Sequence, residues 1–575
     1  MEIDLLLENA FVFNVFRKQF EEKNIAIADD KFYYVSEANL RELQPKEILD
    51  VEGKFIIPGF IDIHMHIESS MIPPSIFSGV ALSYGITTVV ADSHEIANVF
   101  GQAGIEAFMQ EKTDLDIFYA IPSSVPSTTP ELETTGGLIG LHEVASLLEQ
   151  PKVIALGEAM NFRGITDEPN SLIRQILKMV QEMDSLMPLE GHIPRVSGET
   201  LAKFMHAGLT ADHTQQTPES ILEKVSSGIF LELQKKSITP ENIQTVVDYD
   251  LYEHIAIITD DIMADDLLEG HLDANVRLAV ECGMPVEEAI YTTTYTPARR
   301  MGFQDRGAIA SGFLADFMIL DDLEALVIDS VYKKGVRVHQ KGDQIVYPLT
   351  KPKFPDHFYD SIHCKPLTKK DLEICVEGNQ DYVTCNVIQI QEIGTFTEHV
   401  QREIPVINGI LDWENSGLSL IMVMERYGKN GNIGYGLVEH SLKEKGAVAT
   451  TWAHDHHNLM VMGSSVEDIL LAQQTVLNLK GGYVVSKNGK LSASCPLPIG
   501  GILSDEDVYT LGNQLKNVRQ AMVDLGYRNT NEIMSFSTLS LPVSPQLKIT
   551  DFGMMDVHTH ALVPLIEVKN ENISY

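Results

Sequence analysis

Short apolar runs alternate with amphipathic stretches over the first half of the chain. The stretches between them, such as residues 170–184, 197–206 and 241–248, have the apolar spacing of helices, and Ser197 and Thr239 stand at predicted helix starts. Eight strands alternating with helices over about 250 residues are typical of a (β/α)8 barrel, whereas a doubly wound sheet usually has about five to seven strands. We therefore predict an α/β chain with a TIM-type (β/α)8 barrel over residues 58–304. The eight runs lie at residues 55–66, 86–94, 116–122, 152–158, 186–192, 209–213, 228–233 and 255–260.

The segments on either side of the predicted barrel have a different pattern, with short strands and tight turns. We expect residues 1–57 and 305–350 to pair into one small β-domain. Prolines are frequent in residues 348–366, which indicates a connecting segment. Residues 365–575 mix strand and helix patterns and predict a C-terminal α+β domain.

Charge and cysteine content narrow the possible partners. The chain has 81 acidic and 43 basic residues, a net charge of −38, so nucleic acid and anionic membrane surfaces are poor candidates. No apolar run is long enough for a membrane helix, and the start lacks the basic segment of a signal peptide. Five cysteines without a CxxC pair fit a reducing compartment, so we expect a cytoplasmic protein.

Potential metal ligands stand at the ends of six predicted strands. His64 and His66 are two residues apart on a strand, so both side chains face the mouth of the barrel, where barrel enzymes place their active sites. The alternative is that these polar residues only cap the strand ends and that the histidines are packed structurally. It must explain why potential ligands occur at six strand ends. The residues are His64 and His66 on strand one, Asp92 and His94 on strand two, Glu158 on strand four, His192 on strand five, Asp212 and His213 on strand six, and Asp260 and Asp261 on strand eight.

This set of imidazoles and carboxylates is too large for one catalytic zinc, which normally has three protein ligands. Two divalent ions bridged by a carboxylate would use it fully, and Glu158 is the bridge candidate on strand four. The ligand types suit Mn²⁺, Fe²⁺ or Zn²⁺. A bound cation lowers the pKa of its water, so that hydroxide is available near neutral pH to attack a polarised carbon. Asp260 can serve as both ligand and proton carrier. The pattern therefore predicts metal-dependent hydrolysis without an organic cofactor.

Several motifs resemble a known family. The segment starting Pro58-Gly-Phe-Ile-Asp-Ile-His-Met-His is similar to the amidohydrolase superfamily, and the narrower likeness is to bacterial adenine deaminases. It extends over nearly the whole chain, including the last third. The narrower motifs begin at Glu68 (ESS), Ala91 (ADSHEIANV), Gly157 (GEAMNF), Gly191 (GHIP), Ala211 (ADH), Thr259 (TDD), Asp305 (DRGAIA), Asn430 (NGNIG) and Ala453 (AHD).

The resemblance implies a dinuclear site, with manganese the first choice, and the hydrolysis of free adenine to hypoxanthine and ammonia in purine salvage. Three positions depart from the family pattern: Thr214 where a glutamate is common, Ile262 where an arginine is common, and His456 where a serine is common. The metal ligands implied by position are His64, His66, Glu158, His192, His213 and Asp260.

Other residues are weaker candidates. His94 is predicted to contact the purine, Asp261 to bond a ring nitrogen or a ligand histidine, and Glu68 to orient a ligand. His454, His456 and His457 are expected at the surface or an interface rather than on a metal, and His558 with His560 lacks metal-binding partners. We expect a homodimer. The alternative functions are another amide or cyclic-amide hydrolase on the same barrel and a metal-binding regulatory protein.

Overall fold

The computed structural model describes residues 3–345, 347 and 352–567. Two compact units make up the chain. The first comprises Met1–Ser93, Phe108–Ser123 and Gly140–Pro352, and the second comprises His94–Ala107, Ser124–Ile139 and Lys353–Tyr575. The outer ends of the predicted domains, at residues 1, 350 and 575, lie outside the described residues.

The first unit starts with strands that form a β-sheet. The buried residues of these strands pack into an apolar cluster around Phe32, Ile56 and Phe317. β1 pairs antiparallel with β2, and it pairs parallel with β4 and β5. The strands are β1 (Ile3–Asn14), β2 (Gln19–Ala28), β3 (Lys31–Ser36), β4 (Pro45–Asp50) and β5 (Phe55–Pro58).

Eight parallel strands follow and form a curled sheet of the TIM type. Thr210 donates a 3.0 Å backbone hydrogen bond to Leu189, which joins β10 to the start of β11. Asp260 donates one of 3.1 Å to His64, which joins the last strand region to the first. Each predicted run overlaps one of these strands, and β9 ends one residue beyond its run. They are β6 (Phe60–Met65), β7 (Ile86–Asp92), β8 (Asp116–Ile121), β9 (Val153–Ala159), β10 (Leu189–Gly191), β11 (Ala211–Asp212), β12 (Phe230–Leu233) and β13 (Ile255–Ile257).

The first predicted run, residues 55–66, is two strands rather than one. β5 belongs to the sheet of β1, and β6 starts the curled sheet, with Gly59 between them. A Cβ atom at Gly59 would lie 2.3 Å from the side chain of Thr87, so only glycine fits the close approach of β6 to β7.

Helices connect the strands, and α6 shows how such a helix buries one face. In α6, Ile173, Ile176, Leu177 and Val180 are buried at the spacing of one helix face. Thr239 accepts a hydrogen bond at the start of α9, whereas Ser197 stands at the start of α7 without a side-chain capping bond. The helices are α1 (Pro74–Ser83), α2 (His94–Phe100), α3 (Gln102–Gln110), α4 (Leu141–Leu147), α5 (Phe162–Thr166), α6 (Leu172–Met183), α7 (Gly198–His206), α8 (Pro218–Ser226), α9 (Pro240–Asp248), α10 (Leu272–Glu281) and α11 (Val286–Arg300).

Three further strands return to the sheet of β1. β14 (Phe317–Asp322) pairs antiparallel with β5, followed by β15 (Val327–Lys333) and β16 (Val336–Gln340). The sheet order is β16-β15-β14-β5-β1-β2-β3, with β4 on β1. Strands from both sides of the barrel thus share one sheet.

The second unit contains a nine-stranded sheet and a three-stranded sheet. The large sheet has the order β19-β18-β17-β21-β20-β23-β22-β24-β25. Among the described residues, no helix is both long and apolar enough to cross a membrane. The strands are β17 (Tyr382–Ile390), β18 (Thr397–Ile407), β19 (Ile410–Leu411), β20 (Ser419–Met424), β21 (Ile433–Glu439), β22 (Gly446–Thr450), β23 (Leu459–Gly463), β24 (Gly482–Lys487), β25 (Lys490–Pro496), β26 (Leu547–Thr550), β27 (Gly553–Asp556) and β28 (Ala561–Val563), and the helices are α12 (Val466–Leu479), α13 (Val508–Asp524) and α14 (Glu532–Ser537).

Candidate active site

Two histidines enter the site from the first strand of the curled sheet. His64 lies in β6 and His66 follows its last residue. The Nδ1 nitrogen of His66 lies 2.9 Å from the backbone carbonyl oxygen of Asp92. Because a carbonyl only accepts hydrogen bonds, Nδ1 carries a proton, and in the neutral ring Nε2 keeps its lone pair. That nitrogen faces the carboxylates of Glu158 and Asp260, as a metal ligand requires.

Glu158 lies between two groups of histidines. It is a residue of β9, and its backbone N–H donates a 2.8 Å hydrogen bond to the carboxylate of Asp92. Its Oε1 atom lies 3.5 Å from His66 Nε2. Its Oε2 atom lies 2.8 Å from His192 Nδ1 and 3.2 Å from His213 Nε2. The two oxygens therefore face different sets of ligand nitrogens.

Asp260 completes the first of these groups. It follows β13 by three residues, and its φ of 62° is in the left-handed region that residues other than glycine rarely adopt. One carboxylate oxygen lies 3.3 Å from His66 Nε2, and the other accepts a 2.6 Å hydrogen bond from Gln234. Such backbone strain persists only where the surroundings fix it, and functional sites are a common place for it.

The cluster strongly favours positive charge. Burial alone would raise the pKa of Glu158, but the charge of His213 and the hydrogen bonds of His192 and His213 hold it well below the ordinary value. Burial would lower the pKa of His213, yet Glu158 raises it to about 10. Burial is also outweighed at His66, where the hydrogen bond with Asp260 raises the pKa well above the ordinary value. Protons on His66 and His213 therefore supply positive charge where a bound cation would supply it.

Behind His64 lies a chain of buried charged groups that the sequence patterns did not reveal. His64 Nδ1 is 3.2 Å from Glu232 Oε2. The charge of Glu232 acts on Glu190, which in turn pairs with Arg300 at 2.9 Å. Burial raises the pKa of Glu232 to about 7 and that of Glu190 to about 8, so the pair holds a proton near neutral pH. The available signal was one charged residue, Glu232, within the apolar run 228–233.

Gln234 was also missed, because an uncharged amide after a strand has no distinctive pattern. It donates to both Asp260 and the backbone carbonyl of His213, at 2.6 and 3.0 Å. One amide thus holds residues from two strand ends in register.

Of the positions that depart from the family pattern, Thr214 has a plain structural role. The hydroxyl of Thr214 donates to both carboxylate oxygens of Asp212 at 3.0 Å. Asp212 also forms a buried ion pair with Lys224 at 2.6 Å, and the neighbouring positive charges keep its pKa below the ordinary value despite burial. Ile262 is half-buried. Both residues belong to the segments that follow β11 and β13.

The remaining predicted residues fall into two places. Glu68 is fully buried in the single helical turn after β6, and Asp261 accepts a 2.6 Å hydrogen bond from Ser69 of that turn. His94 starts α2 and belongs to the second unit, where its Nε2 lies 3.9 Å from Asp455. The predicted ligands His64, His66, Glu158, His192, His213 and Asp260 all lie in the first unit.

The expectation that His454, His456 and His457 lie at the surface or an interface is wrong as regards the surface. All three are buried within the second unit, the first at 4% exposure and the others at 0%. Histidines that follow a buried strand such as β22 are enclosed by the fold, which their sequence spacing did not show. His558, by contrast, is exposed.

Comparisons with known proteins agree with this architecture. The amidohydrolase family model matches residues 55–338, and the model of the adenine deaminase C-terminal domain matches residues 394–561. "Adenine deaminase 2" of Oenococcus oeni is 50% identical over 571 residues, covering 99% of this chain and 100% of that protein. "Adenine deaminase" of Clostridium perfringens is 50% identical over 570 residues, covering 99% and 100%. "Adenine deaminase" of Lactobacillus delbrueckii subsp. bulgaricus is 46% identical, covering 98% and 100%. With relatives this similar over nearly their whole length, the chain belongs to the adenine deaminase family.

Proposed function

We propose that this chain hydrolyses adenine to hypoxanthine and ammonia with two divalent metal ions, Mn²⁺ first among them. The observation that carries the proposal is the position of Glu158, whose two oxygens face separate groups of imidazole nitrogens. Curated relatives named adenine deaminase, at 46–50% identity over nearly the full length, support the substrate.

The donor set fits a pair of ions. Two ligand atoms bound to one ion at about 2.1 Å and separated by 90–110° lie about 3.0–3.5 Å apart. His66 and Asp260 are 3.3 Å apart around Glu158 Oε1, and the nitrogens of His192 and His213 are 2.8 and 3.2 Å from Glu158 Oε2. His64 also lies within reach of His66 and Glu158. Imidazole and carboxylate donors without thiolate suit Mn²⁺, Fe²⁺ or Zn²⁺.

Two bound cations supply electrostatic activation of a water molecule near neutral pH. Asp260 accepts a proton from the water oxygen as the oxygen bonds to C6 of adenine. Asp260 then gives that proton to the exocyclic nitrogen, the C6–N bond breaks, and ammonia leaves. The remaining hydroxyl proton moves to the ring nitrogen to give hypoxanthine. The hydrogen bond from Gln234 holds the Asp260 carboxylate in position for both transfers.

Two further residues have proposed roles beside the cations. Asp261 is next to Asp260 in sequence and is oriented by the Ser69 hydroxyl, which supports a hydrogen bond to a ring nitrogen of the purine. Glu68, buried in the turn after β6, is proposed to orient that segment and its histidine ligand. The predicted contact between His94 and the purine stays a prediction.

We propose that the chain has the three domains predicted from the sequence. The barrel of residues 58–304 supplies the ligands, residues 1–57 with 305–350 form a β-domain beside it in sequence, and residues 365–575 form the C-terminal domain. The sheet that β1 to β5 share with β14 to β16 supports the β-domain. The homodimer and the cytoplasmic location stay predictions from the sequence.

Metal removal and return test the proposal. We expect the protein to be inactive after a chelator has removed its metal, and Mn²⁺, Fe²⁺ or Zn²⁺ to restore hypoxanthine formation. The reaction is measured by the change in the ultraviolet spectrum of the purine and by the ammonia released. A His558→Ala variant, changed at an exposed histidine, is the matched control and should be restored equally. Full activity without metal, or ammonia release without hypoxanthine, would contradict the proposal.

A further inference from the structure

A second group of metal-ligating side chains lies within the second unit. His94 and Glu95 start α2, and His454 and Asp455 follow β22. His454 Nδ1 lies 3.1 Å from Asp455 Oδ1 and 3.5 Å from Glu95 Oε1. His94 Nε2 lies 3.9 Å from the same Asp455 oxygen. Two imidazoles and two carboxylates therefore converge on one small volume.

We propose that these four side chains form a third divalent-metal site, made of residues other than the six ligands of the dinuclear site. The separations of 3.1 and 3.5 Å match those of two ligand atoms on a common ion, about 3.0–3.5 Å, and the 3.9 Å separation of His94 from Asp455 is slightly longer. Ligand atoms of His94, Glu95 and His454 all lie within 4.8 Å of one another. The site has two nitrogens and two oxygens and no thiolate, so Mn²⁺, Fe²⁺ or Zn²⁺ are the expected occupants.

Burial and charge support an ion at this position. None of the four side chains belongs to a residue more than 4% exposed. Two carboxylates buried together are costly unless positive charge compensates them, and a divalent cation with two neutral imidazoles balances their charge. His457 lies beside the group, with its ring 5.9 Å from that of His454, and neither of its ring nitrogens has a hydrogen-bonding partner among the described residues.

The segment that carries His454 is held in place by its neighbours. Ser540 donates a 2.9 Å hydrogen bond to the carbonyl of His454, and Tyr427 donates one of 2.6 Å to the carbonyl of His456. The ring of Trp452 packs edge-on against His454 at 4.5 Å. Ligands on a fixed backbone lose little entropy on binding an ion. An ion here would cross-link α2 to a segment about 360 positions further along the chain, and we infer a structural role.

Trp452 provides a direct readout. The chain has two tryptophans, Trp413 and Trp452, so a Trp413→Phe background leaves one fluorophore beside the proposed site. We expect Co²⁺, added to the metal-free full-length protein, to quench Trp452 fluorescence with saturation at low micromolar concentration. His454→Ala and Glu95→Gln should each abolish this quenching, whereas His558→Ala should retain it. The complementary Trp452→Phe variant should show little quenching of Trp413.

Metal content decides the stoichiometry. After reconstitution and dialysis, we expect three equivalents of metal per chain in the wild type and two in Glu95→Gln or His454→Ala, with the circular dichroism spectrum unchanged. If His454→Ala fails to fold, the metal content of Glu95→Gln, which keeps the size of the side chain and removes its charge, tests the third site. Two equivalents in the wild type with no quenching of Trp452 would overturn the third site. If Glu158→Gln loses metal but keeps the quenching of Trp452, the lost metal belongs to the barrel site and the third site is still occupied. The two proposals can therefore be refuted independently.

Discussion

Single residues determine how charge is arranged in the barrel site. Glu158 directs its two oxygens to different imidazoles because its backbone N–H is tied to Asp92 and its strand fixes the direction of the side chain. The Nδ1 nitrogen of His66 is oriented by the backbone carbonyl of Asp92, which fixes the tautomer of the neutral ring. Two hydrogen bonds accepted by Asp92 thus position ligands on two strands.

Replacing Glu158 with glutamine tests the bridge. The amide keeps the size of the side chain but removes the charge between the histidine groups. We expect loss of most metal from at least one barrel position and a fall in kcat of about 10²-fold or more. Metal analysis and steady-state kinetics measure both effects. A variant that retains both barrel ions and near-normal activity would contradict the bridging role.

Replacing Asp260 with asparagine tests proton transfer. The amide oxygen can still coordinate weakly, but it cannot carry a proton from the water to the leaving amine. General acid–base groups contribute about 10²–10⁴-fold, so kcat should fall within that range while adenine still binds. Inhibition by hypoxanthine, measured in wild type and variant, separates binding from turnover. Unchanged kcat would transfer the role to another group, with Asp261 the next candidate.

At the scale of elements, β10, β12 and α11 supply the buried charges behind His64. Glu232 contacts His64 at 3.2 Å, and Glu190 connects Glu232 to Arg300. Carboxylates behind a histidine ligand fix its orientation and typically change metal affinity about 10- to 100-fold when removed. The strands therefore act on the site through residues that touch no substrate.

The variant Glu232→Gln tests this support. We expect metal affinity at the barrel to fall about 10- to 100-fold, while KM for adenine at saturating metal stays within about twofold. Competition with a chromogenic chelator measures the affinity. Glu241→Gln, at an exposed position of α9, is the control. Equal affinity in both variants would show that His64 does not depend on Glu232.

In the second unit, Lys548 of β26 predicts a pH-dependent stability. Its ammonium is fully buried and donates a 2.7 Å hydrogen bond to the carbonyl of Thr395, and burial lowers its pKa from 10.5 to about 7. Between pH 7 and 10.5 the unfolded chain binds more protons than the folded chain, so the free energy of unfolding rises with pH. Below pH 7 both states are protonated and the destabilising effect is complete.

Lys548→Met removes this titration. The variant should gain most stability over the wild type near pH 7, and the difference should shrink as the pH approaches 10. Urea unfolding followed by tryptophan fluorescence reports on this unit, because Trp413 and Trp452 both belong to it. A difference that stays constant between pH 7 and 10 would show that the lysine is charged in the folded protein throughout.

For the whole molecule, sequence periodicity predicted the eight parallel strands, since each run is an apolar stretch of strand length and six of the eight end in polar residues. It could not separate β5 from β6, because the boundary depends on how closely Gly59 approaches Thr87. Nor could it find Glu232 as a partner of His64, since that contact joins residues 168 positions apart in sequence. The histidines after β22 were misplaced for the same reason: burial is a property of the tertiary structure.

The most direct test of the account is the substrate. The segments after the barrel strands are rich in histidine and carboxylates, and Arg163 and Arg195 are the only arginines close behind a predicted strand end, which favours a free base over a nucleotide phosphate. With metal-replete protein, ammonia release from adenine, adenosine monophosphate and a cyclic amide should be measured side by side. We expect rapid release from adenine, with one ammonia per hypoxanthine, and little release from the nucleotide. Protein that is inert towards adenine but hydrolyses the nucleotide or the amide would contradict it.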